Sequence, residues 1–140
     1  MKKPILVLML LSVTLVTFGQ KLEKGNVVGT HVGTIILNPD VSYNQYKTFL
    51  LTKYIPEINK AFNGDMMMYF AESDRSNGEA HVITIMYVFT SVAARNKYFP
   101  TPEKFSDLFT SMQEKLKPVE DQLAKLGAYS EKFYHDWIVQ

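Results

Sequence analysis

Apolar and polar positions alternate along the chain with two distinct periods, and the switches between them mark out the elements. From Val27 to Leu37 the residues are β-branched and glycine-containing and end at Asn38-Pro39-Asp40, the pattern of a strand closed by a turn. Ser42 followed by Gln45 is a capping box. The helix it opens carries Tyr46, Phe49, Leu50, Tyr54, Ile58, Ala61 and Phe62 at three- and four-residue spacing and ends at Asn63-Gly64. Met66 to Ala71 and Val82 to Phe89 read as two further strands, joined by a hairpin loop from Ser73 to Glu79 that contains Asn77-Gly78. Ser91 caps a short helix reaching Tyr98 and Phe99, and Pro100 breaks it. Thr101-Pro102-Glu103 has the form of an N-cap, an N1 proline and a first-turn acid. The helix expected there carries an apolar stripe from Phe105 through Leu108, Phe109, Met112, Leu116, Val119 and Leu123 to Leu126, with Gly127 as its stop. Lys132 to Val139 reads as a final strand.

The order is therefore β-α-β-β-α-β. Few sheet topologies satisfy that order with right-handed crossovers, and the commonest is ferredoxin-like. The expected fold is α+β, with a four-stranded antiparallel sheet in the order 4132. In such a fold helices cover one sheet face, and the other should alternate polar with apolar if water covers it. These strands do not alternate that way. In the third, Val82, Met86 and Val88 oppose Ile83, Ile85, Tyr87 and Phe89; in the second, Met66, Met68 and Phe70 oppose Met67, Tyr69 and Ala71. The last offers Phe133, Trp137 and Val139 on one side and Tyr134 and Ile138 on the other. Leaving five such side chains in water forgoes about 1.5–3 kcal/mol each. A second copy of the chain, sheet against sheet, is the simplest cover.

Several segments carry a resemblance. Lys53-Tyr54-Ile55-Pro56-Glu57, Ser73-Asp74-Arg75, Tyr87-Val88-Phe89-Thr90-Ser91, Ala94-Arg95-Asn96-Lys97-Tyr98-Phe99-Pro100 and Asp136-Trp137-Ile138-Val139 are similar to an exported branch of the dimeric α/β-barrel superfamily. The resemblance covers roughly Gly29 to Gln140. It implies two ferredoxin-like subunits packing their sheets into a barrel. Relatives include small-molecule monooxygenases, haem-degrading proteins and lactone isomerases. None of their site motifs maps onto this chain residue by residue, so the resemblance assigns no catalytic residue.

Charge and the N-terminus change the picture of where the domain works. Lys2 and Lys3 precede an apolar run from Ile5 to Val16, and Thr17-Phe18-Gly19 puts small residues at the −3 and −1 sites before Gln20. That run is too short for the ~20 residues that span a bilayer. The expected organisation is a signal peptide at 1–19, a polar lead-in at 20–27 and one domain at 28–140, periplasmic or secreted, with no membrane contact after cleavage. The cut-site glutamine resembles exported proteins of Bacteroidota-type bacteria, which implies the periplasm. Cleavage leaves 13 basic against 14 acidic side chains, the full chain having 15 against 14. With no basic stripe, nucleic acid is disfavoured as a partner. The chain has no cysteine, which excludes disulfides, a thiol nucleophile, a thiolate metal site and a lipid-acceptor cysteine. Aromatic residues make up 13%, more than a minimal core needs, which points to a lined cavity or a buried interface.

The candidate chemistry centres on histidine. His31 lies in the first strand and His81 at the start of the third. Taking those strands as parallel neighbours puts both imidazoles at one end of the sheet, with Glu72 and Asp74 reaching the same end. His31, His81 and Glu72 are then candidate metal ligands, and either histidine a candidate general base. A one-residue register change sends the histidines to opposite faces and leaves them as hydrogen-bonded strand-end residues. Gly29, His31 and Gly33 share one strand face, which leaves room for a ligand or for a large neighbouring side chain. The candidate ligand-binding set is His31, Gly33, His81, Tyr87 and Trp137. Pro56 and Pro118 lie inside apolar helical patterns and predict kinks. His135-Asp136 is set aside as a pair because neighbours on a regular strand point to opposite faces. Met66-Met67-Met68 reads as core filling, and Arg75 as a solvated loop charge. No phosphate loop, nucleophile elbow or zinc-helix motif is present, and no cofactor is expected. The leading expectation is an exported protein that binds a small apolar or aromatic molecule. The rivals are a cofactor-independent monooxygenase- or isomerase-like enzyme and a non-catalytic interaction module.

Overall fold

The structure, a computed structural model, describes residues 21–73 and 81–140. The expected signal peptide and the hairpin tip with Asp74, Arg75 and Asn77-Gly78 lie outside the described residues. The strands are β1 (Val27–Leu37), β2 (Met66–Glu72), β3 (Val82–Phe89) and β4 (Gly127–Ile138), forming one sheet in the order β2-β3-β1-β4. Every pairing is antiparallel. This is an α+β fold with the strand order expected of a ferredoxin-like sheet.

The parallel relation assumed for the two central strands is wrong. β1 and β3 run antiparallel, with His31 opposite Ile85 and Thr34 opposite Val82. The His81 carbonyl accepts from the Ile35 N–H. It therefore lies four residues along β1 from His31, about 13 Å at the rise of an extended strand. The reason is topological: the helical connection from β1 to β2 passes over β3, so the hairpin partner returns between them in the opposite sense.

The helical segments are α1 (Tyr43–Phe49), α2 (Ile55–Ala61), α3 (Val92–Tyr98) and α4 (Asp107–Ala124). Ser42 and Gln45 form the reciprocal capping box, and Ser91 accepts from the Ala94 N–H at the start of α3. Between α1 and α2 the helix widens into a π turn over Leu50–Tyr54, where the Ile55 N–H reaches back to the Leu50 carbonyl. Pro56, which has no N–H to give, follows at once, so the proline expected to kink this helix sits beyond a π turn that absorbs the irregularity. Pro118 lies inside α4, which runs through it without a break. The start of α4 also differs from expectation. Thr101 to Lys104 forms a small bridged turn, and Ser106, accepting from the Phe109 N–H, is the real cap. Gly127 is not a helix stop but the first residue of β4. There a side chain would come within 2.6 Å of the Ile36 carbonyl oxygen.

One face of the sheet carries the core. Val27, Ile35, Ile83, Ile85, Phe89, Met66 and Met68 pack against Tyr46, Leu50, Ile55, Ile58, Phe62, Tyr98, Met112 and Leu116. Asp65 ties α3 to the start of β2: Lys97 Nζ lies 2.9 Å from its carboxylate and the Tyr98 hydroxyl donates to it at 3.0 Å. The Lys97 ammonium, helped by Tyr98, holds the Asp65 carboxyl below the usual carboxylate range. Among the described residues no helix covers the other face. There Ile36, Phe133 and Trp137 are 60%, 49% and 55% exposed.

Packing of β4 on β1 leaves no room at Gly33, where a Cβ would meet the Ser130 carbonyl oxygen at 2.3 Å and the Tyr129 ring at 2.7 Å. Gly33→Ala is expected to lower unfolding stability by about 1–3 kcal/mol through overpacking. Urea denaturation of the wild type and variant measures it, and a change within 0.5 kcal/mol either way, about the ordinary surface-mutation range, would contradict the packing described.

Candidate functional site

Where β4 pairs with β1 the ladder carries one extra residue. Phe133 opposes Val32 and Glu131 opposes Gly33, so the register along β1 steps over Lys132. In an unbroken strand the residue opposite Gly33 would be Lys132. The bulge puts Glu131 there instead, on the same face as His31. Its carboxylate pairs with His31 Nδ1. A carboxylate only accepts, so Nδ1 carries the proton and Nε2 is left as an acceptor in the neutral ring. Tyr134 lies against the imidazole with ring centroids 4.4 Å apart, and Tyr87 meets it edge-on at 5.0 Å.

That imidazole faces a cavity of about 540 Å³ between the sheet and the helices, within the roughly 300–1,000 Å³ range of small-molecule sites. Gly29, His31 and Tyr87 form its floor; Ile58, Phe62, Met66, Met68, Met112 and Leu116 close the deep end. Phe99, Phe105 and Phe109 pack on one another along the wall, with centroid separations of 4.5 to 5.9 Å. Tyr134, Asp136 and Arg95 also line it, on the side of the exposed strand β4. The π turn brings Tyr54 into the lining as well. Burial, followed by the charges of Tyr129 and Glu131, pushes the Tyr87 phenol up to about 12. Tyr134 is raised to about 12 by burial and then by its hydrogen bond to Asp136. Both are neutral phenols at physiological pH.

The sequence-derived candidates separate. His31 and Tyr87 line this cavity. Gly33 is filled by Tyr129 and Ser130, and Trp137 projects on the opposite face, where its indole N–H reaches the Thr30 hydroxyl at 3.4 Å. His81 stands apart with a left-handed backbone, φ 57°, its ring stacked on Tyr43 at 4.1 Å. Glu72 belongs to that second cluster: the Tyr43 hydroxyl donates to it at 2.7 Å and Lys47 pairs with it. Lys47 first and Tyr43 second keep the Glu72 carboxyl below its usual range. His31, His81 and Glu72 therefore do not converge as metal ligands. Among the described residues no group of three His, Asp or Glu does.

Glu131, Arg95 and Tyr134 were not among the sequence-derived site candidates, and Asp136 was weighed only as a pair with His135 and set aside. Asp136 had a signal in period-two alternation, which puts it on the face of Tyr134. Glu131 had none, because only the bulge brings it there. Compared with models of protein families and with curated proteins, the chain matches none.

The dyad fixes a tautomer. Two-bond proton–nitrogen correlation spectra are expected to show His31 protonated at Nδ1 in the wild type and at Nε2 in Glu131→Leu. The same tautomer in both proteins would remove Glu131 from the role given to it.

Proposed function

We propose that this is an exported protein of the dimeric α/β-barrel type that binds a small apolar or aromatic molecule between its sheet and its helices. The cavity carries this reading: its walls are mainly aromatic, methionine and aliphatic side chains, and polar groups reach it from the strands at His31, Tyr87, Tyr134 and Asp136 and from the helical side at Arg95 and Gln113. An apolar hollow with a small convergent polar set is what small-molecule sites share. Export is supported by Lys2 and Lys3 ahead of the short apolar run and by the small residues before Gln20.

The pairing of two copies is supported by the bare sheet face. Phe133, His135 and Trp137 form a ring ladder along β4, with centroids 4.5 and 5.4 Å apart. Half-buried Val28, Val32, Met67, Tyr69 and Met86 extend the same surface. A second sheet laid on it covers the apolar area with complementary apolar area, and one two-fold axis satisfies both copies.

A second reading, an enzyme that uses His31 as a base, is favoured by one observation. The imidazole is oriented by a carboxylate on one nitrogen while the other faces the cavity, the arrangement a general base needs. Native mass spectrometry of mature protein from its own cell envelope separates the readings. The expected spectrum is a subunit carrying one small molecule, absent from Met112→Trp, in which an indole fills the deep end. A molecule chemically altered by the wild type but intact on His31→Ala decides for the enzyme; an empty cavity in the wild type decides against both.

The dimer has its own check. Sedimentation velocity is expected to give a dimer for the mature chain and a folded monomer for Trp137→Glu. A monomeric wild type would remove the barrel from the proposal.

A further inference from the structure

The cavity reading leaves the ligand's polar end open, and the floor of the site addresses it. Gly29 has no side chain and borders the cavity, and the part of that cavity lying between the side chains that crowd round its Cα forms a hollow. A Cβ placed there would lie 2.9 Å from Asp136 Oδ1, 3.8 Å from the Tyr87 ring and 3.9 Å from His31 Nε2. The two polar atoms bordering the hollow are both acceptors. Nε2 accepts because Nδ1–H is committed to Glu131, and Asp136 accepts because it is a carboxylate already receiving the Tyr134 hydroxyl. With the imidazole neutral, neither donates to a ligand. A ligand carboxylate set in the hollow would meet Asp136 at contact distance with Glu131 behind His31, a like-charge arrangement. An ether or a bare ring would offer a donor to neither acceptor.

The geometry points to a ligand whose apolar, ring-bearing body ends in paired hydrogen-bond donors, either adjacent hydroxyls or a protonated amine, seated over Gly29 between His31 Nε2 and Asp136 Oδ1. This rests on the reading that the cavity binds a small molecule. The body lies along Phe99, Phe109 and Met112, and the Tyr87 and Tyr134 rings flank the head. For an amine those rings add cation–π attraction to the Asp136 charge. The competing anchor is Arg95, the one Lys or Arg among the described lining residues, two of whose N–H groups point at Asn96 Oδ1 at 3.1 and 2.9 Å. A ligand headed by a carboxylate would go there instead of to the floor.

Four probes with one naphthalene body test the head. Naphthalene-2,3-diol, 2-naphthylmethylamine, 2-methoxynaphthalene and 2-naphthoate are titrated into the mature wild-type protein and followed by calorimetry and naphthalene fluorescence. The diol or the amine is expected to bind at least about tenfold more tightly than the methoxy compound, as hydrogen bonds to charged groups allow, with the naphthoate weakest. Whichever of the two is tighter identifies hydroxyl or ammonium. Gly29→Ala, whose methyl would crowd Asp136 Oδ1, should erase the advantage. Asp136→Asn, on the exposed strand β4 where folding is not at stake, should reduce it by itself. Equal affinities for all four probes, or a naphthoate that binds tightest, overturn the donor-head assignment while the cavity reading stands. No binding of any probe overturns both.

Discussion

The pairing of β4 with β1, and the extra residue it absorbs at Lys132, is the constraint on which the rest of the site depends. On either side of the bulge the alternation of β4 is out of step with what a regular strand would give. Tyr134, Asp136 and Ile138 face the helices beyond it, and Tyr129 and Glu131 face them before it. Without the bulge, Lys132 would stand beside His31, and two nitrogen bases would compete where an acid and a base now pair. Tyr129 would also lose its place over Gly33, and the close contact between β4 and β1 would have to open. One inserted residue thus decides the tautomer of the histidine, the packing of a glycine and the charge at the floor of the cavity.

The cavity itself follows from uneven coverage. The helices pack over β2, β3 and β1, whose inward residues Met66, Met68, Ile83, Ile85, Phe89 and Val27 are buried. They leave the inward face of β4 exposed, with Tyr134 at 47% and Ile138 at 50%. Phe99, Phe105 and Phe109 stand between the two regimes. Their mutual edge-on and tilted contacts hold the wall apart from the strand without a bridging side chain. The two strand glycines differ for the same reason. Gly33 lies against the Ser130 carbonyl and the Tyr129 ring, whereas Gly29 borders the cavity with the Asp136 carboxylate as its nearest neighbour.

Much of the fold was legible because local rules and the global answer agree. Period-two alternation placed β2 and β3, and Ser42 and Ser91 are caps where a hydroxyl precedes an apolar helical pattern. Where the reading failed, two local signals competed. Thr101-Pro102-Glu103 has every mark of a helix start, but Phe99 and Phe105 fold back on the wall, and Ser106 captures the free N–H instead. Gly127 reads as a helix terminator by residue type, yet it is needed in β4 because the Ile36 carbonyl approaches it. Half of the candidate site was legible: the shared face of Gly29, His31 and Tyr87 follows from alternation once the strands are placed. The other half was not. The sense of β1 against β3 is a property of the whole topology, and it separated His31 from His81. A bulge between two polar residues, Glu131 and Lys132, leaves no trace in a hydrophobic pattern, so the partner of His31 could not be seen. Nothing local distinguished a glycine packed against Tyr129 from one that borders the cavity.

The alternation that builds the site also joins it to the far side of the sheet. On β4, Phe133, His135 and Trp137 point outward between Tyr134, Asp136 and Ile138, which point inward. Each residue that could meet a ligand is flanked in the chain by one that could meet a cover on the bare face. β4 is an edge strand held by one neighbour, and its side chains are exposed on both faces over most of its length. An edge strand so placed is the part of the sheet whose position is least determined by the core. A second sheet packed on Trp137 and Phe133 would fix the backbone that carries Glu131 and Asp136, and with it the spacing of the two acceptors over Gly29. Assembly and recognition would then act on one strand from opposite sides.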